Sequence, residues 1–355
     1  MQTLDEIRAQ IDELDDRMLS LLNSRMELVK EVGRIKHAKN ESIYRPERER
    51  QILERLSNLN IKNRWLLSDE AIKAIYLEIF AVSRNLERAE NVAYLGPEGT
   101  FTHQAAETVF GAVSEYLPMN SIAAVFRSVE NKKAKFGVVP IENNSEGVVA
   151  ETLDLLGSSN IKIVAELSMK IHHSLASTAQ HSNAIDRIYS KDIAYPQCRK
   201  FIDEIGLNRA EFIPTTSTAK AAELAADDPR SAAICSHIAA KIYNLPIMFE
   251  NIEDSGFNET RFVIVSDFKN SPSGNDKTSA LVEIENKPGS LVAFLQSFEV
   301  EGINLTKIDS RPARNAGFSY IFYIDFDGHI DDEKVSKVVK THRNIKWLGS
   351  YAKAV

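Results

Sequence analysis

The sequence is poor in cysteine, in long apolar runs and in net positive charge. Its 355 residues include only Cys198 and Cys235, too few for a disulfide framework and typical of a reducing compartment. No run of 18 apolar residues occurs, and the acidic N-terminal stretch has no apolar signal core. The net charge of −7 argues against a nucleic-acid partner. These absences predict a cytoplasmic globular protein without nucleic-acid or membrane partners.

Glycine and proline are nearly absent from the first quarter of the chain. Residues 1–90 contain only Gly33 and Pro46, although the whole chain has 15 glycines and 11 prolines. Both residue types interrupt helices, so this step predicts a helical domain over 1–90 and a different architecture beyond it.

Apolar residues recur at helical spacing over 4–38, which predicts one long helix with a single apolar stripe. Shorter helices are expected at 46–60 and 68–89. At 1.5 Å per residue the long helix would span roughly 50 Å. A domain of this size has too few residues to cover such a stripe, so we expect a helical dimer.

Two cations share one face of this long helix. Arg25 occupies the heptad position that is otherwise apolar, and Lys36 lies about three turns further within roughly 20° of the same face. Both side chains are long enough to converge on one ligand. Spacing alone leaves open a structural role in which Arg25 pairs with a buried carboxylate or reaches outwards to water.

The segment IRAQIDELDDRMLSLLNSRMELVKEVGRIK, followed by YRPERER, resembles the all-helical chorismate mutase domain. The resemblance implies an intertwined dimer of three-helix protomers. It implies a site formed by Arg8, Arg25, Lys36, Arg48, Glu49, Ser83 and Glu87. Arg8 lies roughly 100° from Arg25 around the helix, so it would come from the other protomer.

The implied reaction converts chorismate to prephenate within one dianionic molecule. Positioned cations suffice for it, and we expect no cofactor. Glu87 donates a hydrogen bond to the ether oxygen only when protonated. We therefore expect mutase activity to fall with rising pH and the Glu87→Gln variant to flatten the profile.

Short apolar strands alternate with helical stretches after residue 90, which predicts an α/β domain over 91–268. The predicted strands cover 92–96, 136–142, 161–167, 186–190, 232–235 and 261–265. The predicted helices begin near 101 and cover 145–157, 196–205, 217–227 and 236–243.

Four polar clusters lie at the ends of these elements: GPEGTFT (96–102), IENNSEG (141–147), TTSTA (215–219) and ETRF (259–262). Each alone is ordinary turn and capping chemistry, but four together favour a polar cleft. Patterns typical of dinucleotide or triphosphate binding do not occur. The histidines have no metal-ligand spacing, so we expect no metal, and we expect Cys198 in the core.

Together the clusters resemble prephenate dehydratase over about 92–268. The resemblance implies two α/β lobes similar to periplasmic binding proteins. It implies catalytic residues at Thr260, Glu142, Asn143, Ser190 and Gln197. It implies substrate contacts at Gly96, Thr100, Thr216, Ser217, Thr218, Arg261 and Phe262. We expect Thr260, supported by Glu142 and Asn143, to donate a hydrogen bond to the departing hydroxyl of prephenate.

The last part of the chain follows a polar stretch, 269–277, that predicts a linker. Residues 277–355 show a β-α-β-β-α-β pattern, the ferredoxin-like order of an α+β domain. NKPGSLVAFL and DSRP within it resemble an ACT domain, which binds an amino acid at a dimer interface. The resemblance implies an L-phenylalanine site at Pro288, Gly289, Ser290, Leu291, Asp309, Ser310, Arg311 and Pro312.

As a whole the chain resembles the bifunctional chorismate mutase–prephenate dehydratase family. This implies chorismate and prephenate as substrates, phenylpyruvate as product, L-phenylalanine as effector, and a homodimer or dimer of dimers. Two alternatives stay open. Only one of the two activities could be live, or the chain could be a non-catalytic binding protein that senses an amino acid.

Overall fold

The structure, a computed structural model, describes residues 2–38, 46–87, 91–312, 320–342 and 344–353. The chain divides into two compact units. One comprises Met1–Glu90 with Phe110–Glu115, and the other comprises Asn91–Val109 with Tyr116–Val355. Within the described ranges no helix has the length and apolar character needed to cross a bilayer.

The first unit is built on three helices, α1 (Leu4–Ala38), α2 (Pro46–Asn63) and α3 (Asp69–Glu87). Helix α1 has the bounds that its apolar periodicity predicts. Ser68 caps α3, because its Oγ accepts a hydrogen bond from the Ala71 amide at 3.2 Å. Helix α3 packs against both α1 and α2.

Gly33 is the single glycine of this helical unit before Phe110, and it lies against Glu87 at the end of α3. A Cβ at this position would stand 3.2 Å from Glu87 Cγ and 3.4 Å from Glu87 Cα. The glycine therefore allows the backbone approach that brings the end of α3 beside the second half of α1.

The apolar stripe of α1 is exposed in the single chain. Its members are between 42% and 71% exposed: Leu4, Ile7, Ile11, Leu14, Met18, Leu21, Leu28, Val32 and Ile35. An apolar face of this length is the kind of surface that binds a partner.

The second unit contains three sheets. Its strands are β1 (Asn91–Leu95), β2 (Glu115–Met119), β3 (Phe136–Asn143), β4 (Gly147–Val148), β5 (Lys162–Lys170), β6 (Ser174–Ala176), β7 (Arg187–Lys191), β8 (Glu211–Thr215), β9 (Ser231–Cys235), β10 (Ile247–Phe249), β11 (Glu259–Ser266), β12 (Asp276–Ile284), β13 (Leu305–Pro312), β14 (Tyr320–Asp327) and β15 (Ile345–Ala352).

The helices between them are α4 (Phe101–Phe110), α5 (Ile122–Glu130), α6 (Ala150–Ser158), α7 (Ala194–Gln197), α8 (Arg199–Glu204), α9 (Thr218–Ala226), α10 (His237–Ile242), α11 (Ser290–Val300) and α12 (Glu333–Thr341), with a 3₁₀ turn at Ser182–Ala184.

Two of the sheets form the two α/β lobes expected from the sequence. The first has the order β2-β1-β3-β11-β5, with β4 paired to β3, and the second has the order β10-β6-β9-β7-β8. Both sheets are mixed. In the first, for example, β1 runs parallel to β3 while β11 is antiparallel to β3 and β5. Each sheet has its own buried core, the first around Val139 and Val263 and the second around Ile188 and Ile234.

The third sheet is antiparallel, with the order β13-β14-β12-β15. With α11 and α12 it follows the β-α-β-β-α-β order that the sequence predicts. Ile284 at the end of β12 and Pro312 at the end of β13 both pair with Tyr320 of β14. The turn after β12 and the end of β13 therefore lie at the same edge of this sheet.

The stretch 269–277, predicted as a polar linker, leads from β11 into β12 and is mostly exposed, although Asn270 and Asp276 are buried. Asn270 is buried, and its Nδ2 donates to the Val164 carbonyl at 2.7 Å and to the Ser350 carbonyl at 3.1 Å. One amide side chain thus joins the edges of two sheets, and strand β12 already begins at Asp276.

Local side-chain chemistry explains other differences from the predicted elements. The predicted helix 145–157 starts only at Ala150, because Asn143 Oδ1 accepts hydrogen bonds from the amides of Ser145 and Glu146 and holds a turn there. The predicted helix 196–205 is interrupted at Cys198. The sequence analysis missed helix α5 and the strands β2, β6, β8 and β10.

Both cysteines are fully buried, as expected for Cys198. Burial raises the pKa of each thiol, to about 12 for Cys235. Neither is therefore suited to act as a nucleophile at neutral pH.

Candidate functional site

Helices α1 and α3 bring four of the predicted residues of the helical site together in two pairs. Arg25 Nη1 donates to Ser83 Oγ at 2.6 Å, and Lys36 Nζ lies 2.9 Å from Glu87 Oε2. Ser83 in turn donates to the Ile79 carbonyl at 2.6 Å, so its oxygen is oriented to accept from the arginine. Both of these cations thus face α3, about three turns apart along the contact between the two helices.

Among the other predicted residues of this site, Glu49 lies near enough to Lys36 for that cation to oppose the rise in its pKa that burial causes, whereas Arg8 and Arg48 are exposed. Glu49 forms a buried ion pair with Arg84, and burial raises the pKa of Glu49 although Arg84 opposes that shift. Arg8 is exposed and contacts Asp5 at 3.5 Å, and Arg48 is exposed on α2. Sequence reasoning missed Arg84, whose place on the buried side of α3 beside Phe80 and Ala81 was the available signal.

A cavity of about 630 Å³ lies in the α/β unit and collects most of the polar clusters. Nine of the predicted residues line it: Gly96, Thr100, Asn143, Gln197, Thr216, Ser217, Thr218, Thr260 and Phe262. Helix α9 begins at this cavity, and Ser217 caps it by accepting from the Lys220 amide at 3.0 Å. Helix N-termini favour anions, so the wall is suited to a carboxylate.

Strand register explains how the catalytic candidates meet. Strands β3 and β11 pair so that Thr260 lies opposite Asn143 and Arg261 lies opposite Glu142. Side chains alternate along a strand, so the first pair faces one side of the sheet and the second pair faces the other. Asn143 Nδ2 donates to Thr260 Oγ1 at 2.8 Å on the cavity side.

A chain of polar side chains extends from Thr260 along the cavity wall. Asn143 Nδ2 also donates to Asn258 Oδ1 at 2.9 Å, and Asn258 Nδ2 donates to Gln197 Oε1 at 3.1 Å. The same Gln197 oxygen lies 3.0 Å from His173 Nε2. The chain therefore joins five residues from both lobes.

The direction of these hydrogen bonds follows from two backbone amides. Asn143 Oδ1 accepts from the Ser145 amide at 2.9 Å and from the Glu146 amide at 3.1 Å, and amides only donate. Asn143 Nδ2 must therefore face Thr260, whose oxygen accepts. Among the described residues the Thr260 hydroxyl makes no other hydrogen bond, so its own proton is available to a ligand in the cavity.

Glu142, Arg261 and Ser190 do not line the cavity, which corrects their predicted contact with substrate. Arg261 Nη1 lies 2.6 Å from Asp325 Oδ2, and Arg261 Nε lies 3.4 Å from Glu142 Oε2 on the opposite face of the sheet. Ser190 is fully buried, and its hydroxyl donates to the Lys191 carbonyl at 3.1 Å. Strand alternation is the cause in each case.

A buried charged cluster lies on the face of β11 opposite to the cavity. It comprises Arg261, Glu166, Lys277 and Asp325. Lys277 Nζ contacts Glu166 Oε2 at 2.6 Å and Asp325 Oδ2 at 3.7 Å, and Arg261 Nη1 lies 3.4 Å from Glu166 Oε2. Burial alone would raise the pKa of Asp325, but Arg261 and Lys277 outweigh it and lower the pKa. The cluster joins β11 and β5 to β12 and β14, and Lys307 of β13 adds an ion pair to Glu142.

Six polar residues of the cavity wall were not among the predicted site residues: Thr102, Asn120, Glu146, His173, Lys191 and Asn258. Lys191 ends a strand next to Ser190, and among the lining residues it is the one Lys or Arg side chain. The sequence indicated no role for His173 beyond metal binding, which the spacing of the histidines does not favour. In the described part of the chain no three His, Cys, Asp or Glu side chains are grouped as a metal site would require.

The predicted effector residues lie at one edge of the third sheet. Gly289 adopts a left-handed φ of +84° and caps α11, with Pro288 before it and Ser290 and Leu291 in the first turn. Asp309, Ser310, Arg311 and Pro312 end strand β13. Arg311 Nη1 donates to the Ala150 carbonyl at 2.7 Å and contacts Asp154 of α6 at 3.1 Å.

The fold and cavity define a multidomain enzyme with a helical cationic site and a two-lobed α/β anion site. Residues 7–88 match the family Chorismate mutase type II, and residues 92–270 match the family Prephenate dehydratase. The chain belongs to the family of bifunctional chorismate mutase/prephenate dehydratases.

Relatives carry both regions in the same arrangement. A bifunctional chorismate mutase/prephenate dehydratase of Aquifex aeolicus is 42% identical over 100% of this chain and 99% of its own length. The Pseudomonas aeruginosa protein of the same name is 39% identical over 99% of this chain and 98% of its own. The crystal structure of prephenate dehydratase from Arthrobacter aurescens in complex with L-Phe has a TM-score of 0.68 and 33% identity, and covers 74% of this chain and 90% of its own.

Proposed function

We propose that the chain converts chorismate to prephenate in its helical region and prephenate to phenylpyruvate, CO2 and water in its α/β region. The observation that carries the proposal is the coexistence, in one chain, of the paired cations on α1 and the oriented hydroxyl of Thr260 in the cavity. Each suits one of two consecutive reactions of the same carbon skeleton.

The mutase step needs cations rather than acids or nucleophiles. Chorismate is a dianion that rearranges within one molecule, so Arg25 and Lys36 would hold its carboxylates in the reactive shape and stabilise the polarised transition state. Lys36 Nζ lies 2.9 Å from Glu87 Oε2, and a substrate carboxylate or ether oxygen would compete for that contact.

The helical site would be completed by a second copy of the chain. Arg8 lies on the exposed side of α1, whose apolar stripe has no covering partner among the described residues of one chain. Two stripes packed on each other would bury that surface and bring Arg8 of one copy towards Arg25 of the other. The state we propose is a homodimer or a dimer of dimers, with Arg48 added to each site.

The dehydratase step would use Thr260 as a hydrogen-bond donor. The carbon–carbon bond to the ring carboxylate breaks and releases CO2, its electron pair enters the ring, and the ring hydroxyl leaves as water after it takes a proton. Thr260 is a weak acid, but aromatisation supplies the driving force and only the departing oxygen needs stabilisation. Asn143 supports this role because it donates to the Thr260 oxygen, so the Thr260 hydroxyl can still donate its own proton to the substrate.

The rest of the cavity wall is suited to the two carboxylates of prephenate. Lys191 supplies a full charge, Gln197 has an amide nitrogen left over after its oxygen accepts two hydrogen bonds, and α9 presents its N-terminus with Ser217. We assign binding of the carboxylates to these groups and to Thr100.

We also propose that the β-α-β-β-α-β region is an ACT domain that binds L-phenylalanine and lowers dehydratase activity. The relative from Arthrobacter aurescens is described with L-Phe bound, which supports this ligand. The charged cluster supports a route for the response, since Arg261 follows Thr260 directly and contacts Asp325 of that region at 2.6 Å. A ligand-dependent shift of β14 would thus act on the catalytic strand.

A chorismate feed with product analysis tests the whole proposal. The wild-type chain should form prephenate and then phenylpyruvate, with less phenylpyruvate when L-phenylalanine is present. The Thr260→Ala variant should accumulate prephenate at the wild-type rate. Formation of prephenate without phenylpyruvate by the wild type would leave only the mutase activity, and binding without turnover would favour a non-catalytic sensor.

A further inference from the structure

The hydrogen-bond chain at the cavity begins at a buried histidine that the proposed mechanism does not use. His173 is 2% exposed, and its backbone is fixed at both ends: its amide donates to Glu253 Oε2 at 2.9 Å and its carbonyl accepts from the Ile252 amide at 3.0 Å. The ring of Phe101 stands edge-on to it at 5.5 Å. The imidazole therefore has one well-defined position.

The protonation of this ring follows from its neighbours. Gln197 Oε1 already accepts from Asn258 Nδ2, and that amide is oriented because its oxygen accepts from Asn143. The Gln197 oxygen can therefore only accept, so His173 Nε2 carries the hydrogen that points to it at 3.0 Å. Burial also lowers the pKa of His173, which keeps the ring neutral.

The remaining nitrogen is unusual. His173 Nδ1 is buried and has no hydrogen-bond partner among the described residues. A purely structural side chain of this shape, such as phenylalanine, would fill the same space without leaving a polar atom unsatisfied. The retained donor at Nε2 therefore points to a use for its hydrogen bond.

We infer that His173 and Asn258 are positioning residues of the dehydratase site, which hold Gln197 in the one amide orientation that leaves its amide nitrogen free for substrate. The inference rests on the proposed dehydratase function. If either donor were lost, one hydrogen bond fewer would hold the Gln197 oxygen, and the Gln197 side chain could turn its amide nitrogen away from the substrate.

Three variants of the full-length chain test this in steady-state phenylpyruvate formation. His173→Phe keeps the ring shape without the donor, His173→Gln returns an amide nitrogen near the Nε2 position, and His172→Phe is the matched control. His172 is half exposed, and its ring contacts Glu253 at 2.6 Å but takes no part in the hydrogen bonds that link His173, Gln197 and Asn258. Prephenate formation from chorismate by the same variants serves as an internal measure of intact protein.

We expect His173→Phe to lower kcat for prephenate dehydration roughly 10- to 100-fold with little change in KM, because a misaligned donor weakens the transition state more than the ground state. His173→Gln should recover most of this loss, and His172→Phe should stay within about threefold of wild type. Retention of kcat by His173→Phe, or equal losses in the phenylalanine and glutamine variants, would overturn the inference.

A readout without substrate separates this inference from the proposed function. The tautomer is measured in ¹⁵N–¹H spectra of the full chain with labelled histidine. The His173 signals are identified as those that disappear in His173→Gln, and they should show a neutral ring with its hydrogen on Nε2. A hydrogen on Nδ1 would overturn the inference even if the enzyme is active. If wild type makes no phenylpyruvate while the expected tautomer is present, the dehydratase proposal fails and the described chain of hydrogen bonds stands. Should His173→Phe not fold, Asn258→Asp, which turns a donor into an acceptor facing Gln197, replaces it with the same expected loss of kcat.

Discussion

Replacing Asn143 by aspartate tests the orientation of the Thr260 hydroxyl with a change of one atom. In Asn143→Asp the oxygen that accepts from the Ser145 and Glu146 amides is kept. The nitrogen that now donates to Thr260 Oγ1 at 2.8 Å becomes a carboxylate oxygen, which can only accept. The Thr260 proton would then be drawn to this carboxylate instead of to the departing hydroxyl of prephenate.

The size of the effect follows from these contacts. A hydrogen bond to a charged group contributes about 1.5–3 kcal/mol, so the misdirected proton would be held firmly. Loss of one transition-state donor of this kind costs about 10²–10³ in kcat, roughly 2.7–4 kcal/mol. Thr260 is 9% exposed, which limits the access of water as a substitute donor. We therefore expect kcat to fall by about two to three orders of magnitude, and KM to rise because the variant adds a negative charge to the cavity.

The assay is steady-state formation of phenylpyruvate from prephenate, with mutase turnover of the same preparation as the reference. Asn120→Asp is the matched control, because Asn120 is exposed and lines the same cavity without contact to Thr260. It adds the same negative charge, so it should raise KM and leave kcat nearly unchanged. The double variant Asn143→Asp with Thr260→Ala should be no slower than Thr260→Ala alone, because both changes remove the same donor.

Two results would refute the reasoning. The first is a kcat for Asn143→Asp within about threefold of wild type, which would mean that the orientation of Thr260 does not limit turnover. The second is a double variant that is slower than Thr260→Ala by the full factor of Asn143→Asp, which would mean that Asn143 acts independently of Thr260.

Three further predictions concern charged side chains. Lys191→Met should raise KM for prephenate about 10-fold, as expected for the loss of one charge-assisted contact, and an unchanged KM in steady-state assays would contradict its assignment. Asp325→Asn leaves two buried cations short of a partner, so it should lower the free energy of unfolding at pH 7 by about 3–5 kcal/mol in denaturant titrations. Arg261 and Lys277 hold the pKa of Asp325 below its ordinary 3.8, so this difference between wild type and variant should be complete above that value and shrink as the pH falls through the lowered pKa.

Much of the local architecture could be predicted because short-range rules determine it. The bounds of α1 follow from apolar spacing alone, and strands β3 and β11 follow from their apolar runs. The residues of the cavity wall were accessible because turn-forming clusters at strand ends tend to meet. Asn143 and Thr260 lie 117 positions apart in sequence, yet the resemblance named both.

What the sequence could not reveal was the face of the sheet on which each side chain lies. Glu142 and Asn143 are adjacent in sequence, as are Thr260 and Arg261, and only the pairing register separates cavity from charged cluster. Asp325 belongs to a different sheet, so nothing local in the sequence around Thr260, Arg261 and Phe262 indicates that this carboxylate pairs with both Arg261 and Lys277. The burial of Asn270 could not be predicted for a similar reason, since the Val164 and Ser350 carbonyls that accept from it are distant in sequence.

The alternation along β11 has a consequence for genetics. A scan of substitutions along this strand should give two phenotypes in turn: Thr260 and Phe262 face the cavity and would yield enzymes that lose turnover, whereas Arg261 faces the charged cluster and would yield enzymes whose response to L-phenylalanine is altered. A selection for growth in the presence of a toxic phenylalanine analogue should therefore recover changes at Arg261 and its cross-strand partner Glu142, and none at Thr260. Consecutive residues of one strand would thus serve turnover and the response to L-phenylalanine.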